Sequence, residues 1–143
     1  MAPTHVLVPL DGSPLASKSL RHALENYDCE ITVLNVLTPI GNEMSEGGVR
    51  EHTDERVADA EARAEELIGE ASEAVGADGQ RIETVIETGD PAEAIVSFVE
   101  ETDVDHVVMG GHGGDDIGLV SRLLGTVATT VVSEAPVTVT VVR

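Results

Sequence analysis

Apolar positions along this chain recur with two periods, and the two alternate. Short runs rich in Val and Ile occupy 5–10, 30–37, 81–87, 105–110 and 137–142, and they read as strands. Between them the spacing becomes helical. The first helical stretch, 13–27, carries Ala16, Leu20, Ala23, Leu24 and Tyr27 on one face, with Ser13 as N-cap and Pro14 at the first helical position. The second, 50–75, has the stripe Val57, Ala60, Ala64, Leu67, Ile68, Ala71 and Val75, with acids over the rest. The third opens on Asp90-Pro91-Ala92-Glu93, an acidic N-cap with Glu three residues on, and continues through Ala94, Ile95, Phe98 and Val99. The fourth, 126–133, is short and stops before Pro136.

Strand and helix in alternation predict one α/β domain over 1–143: a doubly wound, Rossmann-like parallel sheet of five strands with helices on both faces. Runs 5–10 and 105–110 are almost continuously apolar, as central strands buried on both sides should be. The last run sets Val137, Val139 and Val141 against Thr138 and Thr140, a half-polar pattern suited to a sheet edge. Residues 38–48 are polar and contain glycine, and are expected to form a mobile loop.

Composition narrows the function classes. Aromatics are 1% of the chain, only Tyr27 and Phe98, so the stacking surface of a single-strand nucleic-acid binder is excluded. The net charge is −19, and Lys18 is the sole lysine. Such a surface repels phosphate backbones and anionic lipid, so neither nucleic acid nor membrane is an expected partner. The acid excess with almost no lysine reads as halophilic adaptation to a salty cytoplasm, where molar salt shortens the Debye length to about 3 Å. Cys29, the one cysteine, precedes a strand and reads as a small core residue. No apolar run approaches the ~18 residues of a membrane span and no basic leader precedes the first strand, so a cytoplasmic location is expected.

In an open α/β sheet, ligands sit beyond the carboxyl ends of the strands, where the strand order reverses. Two loops fall there: Pro9-Leu10-Asp11-Gly12-Ser13, and Gly110-Gly111-His112-Gly113-Gly114-Asp115-Asp116. Neither is a P-loop, since the only lysine lies inside the first helix. The first strand is followed by a single glycine, which excludes a dinucleotide fingerprint, and no nucleophile elbow is present. The glycines after the fourth strand can form a backbone anion nest. Thr126 can cap the fourth helix, whose N-terminus also attracts anions. Two backbone anion sites around one segment suit a polyphosphate; the other reading of these glycines is a flexible turn.

Two segments carry a resemblance. The first is Val6-Leu7-Val8-Pro9-Leu10-Asp11-Gly12-Ser13 followed by an amphipathic helix. The second comprises Val107-Val108-Met109-Gly110, the glycine loop, Leu123-Leu124-Gly125-Thr126-Val127 and Ala135-Pro136-Val137-Thr138-Val139. On these the chain resembles the universal stress protein family over essentially its whole length. The resemblance implies strand order 3-2-1-4-5 and, through the ATP-binding branch, an adenine-nucleotide site between the first and fourth strands. It implies that Pro9 and Asp11 border the adenosine, with Asp11 near the ribose or a Mg²⁺, and that Val36 receives the adenine through its backbone. It places phosphates on Gly110, Gly113, Gly125 and Thr126. Leu10, Met109, Gly111, His112, Gly114 and Val127 adjoin the cleft.

The branch motif has nine residues between its second and third glycines, whereas eleven separate Gly113 from Gly125 here. The extra pair lies around Asp115 and Asp116. These acids hold Mg²⁺, repel the nucleotide, or face solvent. The expected function is a dimeric ATP-binding stress-response protein. The alternatives are an interaction module of the same fold without nucleotide, or a slow ATP hydrolase. No catalytic residue is assigned, since His112 lacks a visible partner and nucleophile. The last strand, 137–142, is long, β-branched and uncharged, so a homodimer through that edge is expected, as the resemblance also implies.

Overall fold

In the computed structural model of the chain, residues 3–10, 14–37, 49–76, 81–111 and 126–143 are described. They form β1 (His5–Leu10), α1 (Pro14–Asn26), β2 (Glu30–Leu37), α2 (Val49–Val75), β3 (Ile82–Thr88), α3 (Pro91–Glu101), β4 (His106–Gly110), α4 (Thr126–Glu134) and β5 (Thr138–Val142). The five strands lie in the order β3-β2-β1-β4-β5, every pair parallel. The doubly wound sheet and its strand order are therefore as expected, with β5 at an edge. β3, β4 and β5 each begin one residue later than the hydrophobic pattern suggests, and local chemistry accounts for the last two. Asp105 turns its carboxylate back onto Thr4 and His5, and Val137 directly follows Pro136.

Local signals start the helices where the residue types require. The Asp90 carboxylate accepts the Glu93 N–H at 3.0 Å, and Pro91 is the first residue of α3. Gly76, with φ +68°, takes the left-handed position that closes α2.

Strand side chains alternate between two cores. On one face Val6, Val8, Leu10, Ile31, Val33 and Val108 pack with Ala16, Leu20, Ala23 and Leu24 of α1 and with Ala64 and Ala71 of α2. On the other, Leu7, Leu34, Val107 and Met109 pack with Ile95 and Val99 of α3 and Ala128 and Val131 of α4. Burying each such Leu, Ile or Val is worth about 1.5–3 kcal/mol, so both faces contribute to stability.

Pairing is uneven across the sheet. β1 and β2 pair along all of His5–Leu10, and β4 and β5 pair from His106 to Gly110. Between β1 and β4, only Val6 opposite His106 and Leu7 opposite Val107 are paired. Ladder pairing along the central seam is confined to its amino end and stops before the carboxyl ends of the strands.

Candidate functional site

Pro9 explains where the pairing stops. The His5 carbonyl accepts the Asp105 N–H at 3.0 Å, so His5, Leu7 and Pro9 turn their peptide groups toward β4. Ile31 donates to the Arg81 carbonyl at 2.9 Å on the β3 side, which fixes the same alternation from β2. The rung after Leu7 would need an N–H on Pro9, and proline has none. The proline is tolerated in a central strand because its missing donor falls where the ladder ends.

The unpaired end of the seam is the crevice at the topological switch point, and it can be built residue by residue. Gly110, at the end of β4, turns its N–H toward β1 into the unpaired part of the seam. Val36 turns its peptide groups toward β1, whose last residue, Leu10, lies opposite Asn35, so the Val36 carbonyl stands at the strand's end. The Val36 side chain packs in the α3/α4 core, and its carbonyl points to the crevice margin. Thr126 begins α4 and is exposed; Val127 is half-buried. None of these residues carries a side-chain charge, so an anion here would meet peptide dipoles.

Several expectations change in detail. The Gly111 N–H donates to the Val142 carbonyl at 3.0 Å, so it closes the β4–β5 ladder and cannot also join an anion nest. Leu10 and Met109 are 4% and 5% exposed, one in each core, so they can offer a ligand only their backbones. Thr126 is the first helical residue of α4. Asp11, His112, Gly113, Gly114, Asp115, Asp116 and Gly125 lie outside the described residues, as does the 38–48 loop. Among the described residues no group of three His, Cys, Asp or Glu side chains could hold a metal ion. None of their helices is long and apolar enough to cross a membrane.

The sequence reading missed Leu15. A Cβ built on Gly110 would lie 2.7 Å from the Leu15 Cβ, so the start of α1 rests directly on the end of β4. It also missed a polar cluster at the amino end of the sheet. There His5 Nδ1 lies 2.6 Å from Asp103 and Nε2 lies 2.7 Å from the Thr32 hydroxyl. The connectivity is that of a carboxylate–imidazole–hydroxyl triad, but Thr32 is 1% exposed and no substrate can reach it. On the opposite face His106 Nε2 lies 2.7 Å from the Thr140 hydroxyl and 3.3 Å from the Tyr27 hydroxyl. The Thr4-His5 start of the first strand and the Asp103-Val104-Asp105-His106 run were the signals available.

Titration follows these contacts. The His5 hydrogen bond holds the Asp103 carboxyl below its usual range. Burial would raise Asp105, but hydrogen bonds from Thr4 and His5 outweigh it and the carboxyl is also lowered. Burial lowers His106 and keeps it neutral, with Asp105 opposing and His22 assisting. Burial, then the Asp105 charge, raises the Cys29 thiol, which agrees with a packing rather than a nucleophilic role.

The fold defines an open doubly wound α/β protein whose strand order reverses at the β1/β4 switch point. The profile of the universal stress protein family matches residues 3–143, and the chain belongs to that family. It is 29% identical over 150 aligned positions to a universal stress protein of Methanocaldococcus jannaschii, covering 96% of this chain and 81% of that one. Among solved structures it is similar to universal stress protein UspA from Lactobacillus plantarum, with TM-score 0.77 and 22% identity over 100% of this chain and 99% of that chain. It is also similar to a universal stress protein family protein from Arabidopsis thaliana with AMP bound, with TM-score 0.66 and 22% identity over 98% and 91% of the two chains.

Proposed function

We propose that this universal stress protein binds an adenine nucleotide, ATP or AMP, in the β1/β4 crevice and acts as a cytoplasmic regulatory dimer rather than as an efficient enzyme. The observation that carries the reading is the seam that stays unpaired beyond Leu7 and Val107, with the Gly110 N–H and Val36 carbonyl at its margins. The AMP bound to the Arabidopsis relative of the same fold supports it. In this reading Val36 takes the adenine edge and Pro9 lines the adenosine. Gly110 and the start of α4 meet phosphate, together with Gly113 and Gly125. Asp11, Asp115 and Asp116 are the candidate ligands of an accompanying Mg²⁺.

Calorimetry of the whole chain in molar KCl tests this, titrating ATP and AMP with and without Mg²⁺. Binding that strengthens with Mg²⁺ for ATP is expected. No heat at millimolar nucleotide sinks the reading and promotes the interaction module, which the lengthened spacing and its acid pair favour. If the −19 charge is a halophilic trait, thermal stability in the same buffer series climbs steeply with KCl.

The dimer reading rests on the outer edge of β5, which among the described residues pairs with β4 alone. The Val142 carbonyl bonds inward to Gly111, so Thr140 also faces β4 while Val139 and Val141 turn their N–H groups outward. A proline at 140 would therefore break the internal ladder. Val141→Pro is the variant that should give a folded monomer by sedimentation; a dimer unchanged by it moves the interface elsewhere.

A further inference from the structure

We infer that Gly110 is a positioning residue that acts on the crevice through Leu15, by letting the first turn of α1 settle on the end of β4. This rests on the nucleotide reading above, and adds to it how the β1 side of the site is held. Gly110 shares the α1 side of the sheet with His106 and Val108. A Cβ there would stand 2.7 Å from the Leu15 Cβ and 3.6 Å from both the Leu15 carbonyl carbon and its Cδ1. The nearest of these atoms is bonded to the helix backbone, so it cannot swing aside as a side-chain tip can.

The end of β4 is held, so the helix is the partner that moves. Gly110 lies opposite Val142, and the next residue, Gly111, is hydrogen-bonded to the Val142 carbonyl, so β5 holds the end of β4. On the helix side the Leu15 carbonyl accepts the hydroxyl of fully buried Ser19 at 2.7 Å, a bond internal to α1 that makes the first turn shift with the helix rather than deform. Ordinary carbon contacts lie at about 3.5–4.0 Å, so any side chain at position 110 must lift the first turn of α1 by roughly 1 Å. Ala16, next to Leu15, shares a core with Val8 and Leu10 of β1, so a lifted first turn of α1 disturbs that strand end. The displacement is delivered to the β1 lip of the crevice.

A glycine needed only for close approach of a ligand cannot be repaired from the helix; a glycine that seats the helix can. The test compares wild type, Gly110→Ala, Leu15→Gly and the double variant, by AMP calorimetry and urea unfolding. Gly110→Ala is expected to weaken AMP binding by about tenfold or more, given the steep cost of ångström-scale misplacement. Leu15→Gly alone should change it by less than about threefold, and the double variant should return to that level. A double variant as weak as Gly110→Ala overturns the inference, because the added methyl then blocks the ligand itself. If wild type gives no heat with AMP, the nucleotide reading fails separately, and the unfolding cycle still decides the seat. Losses that cancel in the double variant support it; additive losses overturn it. Should Gly110→Ala not fold, a folded double variant supports the seat, and failure of both overturns it.

Discussion

The two ends of the β1–β4 seam differ in what occupies them. At the carboxyl end the contacts are made by backbone and by absences: Pro9 without an N–H, Gly110 without a Cβ. At the amino end side chains do the joining. The Asp105 carboxylate accepts the Thr4 N–H at 2.9 Å, the Thr4 hydroxyl at 3.0 Å and the His5 N–H at 3.2 Å. His5 spans Asp103 and Thr32, and His106 spans Thr140 and Tyr27. No buried side-chain nitrogen or oxygen among the described residues lacks a hydrogen bond. The contrast shows how one parallel sheet can be clamped by side chains at one end and left with incomplete pairing at the other. The anchored end fixes the strands, so the other end can stay unpaired without unzipping the fold.

Removing the anchor should have the largest effect. Asp105→Ala leaves two backbone donors at the strand start without their acceptor and is expected to cost about 1–2 kcal/mol in urea unfolding. Nucleotide affinity should be unchanged, and a variant that loses binding as well would show that the two ends are not independent.

A smaller effect comes from acid. Burial holds His106 below the ordinary histidine value of 6.5, so between the folded and unfolded pKa values the unfolded chain binds the extra proton. Stability is fully present above about pH 6.5 and is lost as pH falls through the folded value. His106→Gln keeps hydrogen-bonding capacity without that titration, so its unfolding midpoint should change less between pH 7 and 5 than wild type's. Parallel profiles would remove His106 from the acid response. Asp103 and Asp105, both lowered, act later: their contribution is present above about pH 3.8 and lost below it.

The smallest stability change, and the most informative one, is expected for Pro9→Ala. It restores the N–H that β1 lacks toward β4. The gain of one rung, about 1 kcal/mol, is offset by the added freedom of the unfolded chain. Nucleotide binding should nonetheless weaken, and the new amide at position 9 should exchange slowly as the seam zips one step further. Rapid exchange there would mean that the crevice is held open by something other than the proline.

Much of this architecture is legible in the sequence. The bounds of β1 and β2 emerge from short runs rich in Val, Ile and Leu, and Asp90-Pro91 marks the start of α3. The strand order became readable only through family likeness, because apolar periodicity does not say which strand lies beside which. In the crevice, Pro9 and Gly110 are visible as residue types, but their effects depend on register. Which neighbour Pro9 faces follows from the His5–Asp105 bond, across 100 positions of sequence. That Gly111 spends its N–H on Val142 removes it from an anion nest that spacing alone allowed. The His5–Asp103 pair spans a similar separation and leaves no local pattern to read.

Tyr27, wedged between His106 and His22 with ring centroids 5.0 and 6.4 Å away, is the only tyrosine of a chain that has no tryptophan. The protein's near-ultraviolet absorbance is therefore almost confined to one phenol at the anchored end. Adenine absorbs strongly where that phenol is weak. A bound nucleotide would dominate the spectrum of the purified chain, making its absorbance ratio a direct measure of occupancy. Meanwhile the phenol's own fluorescence reports on the clasp at the far end of the sheet. With a nucleotide bound, the two halves of the seam would carry separate optical signals, without a label on either.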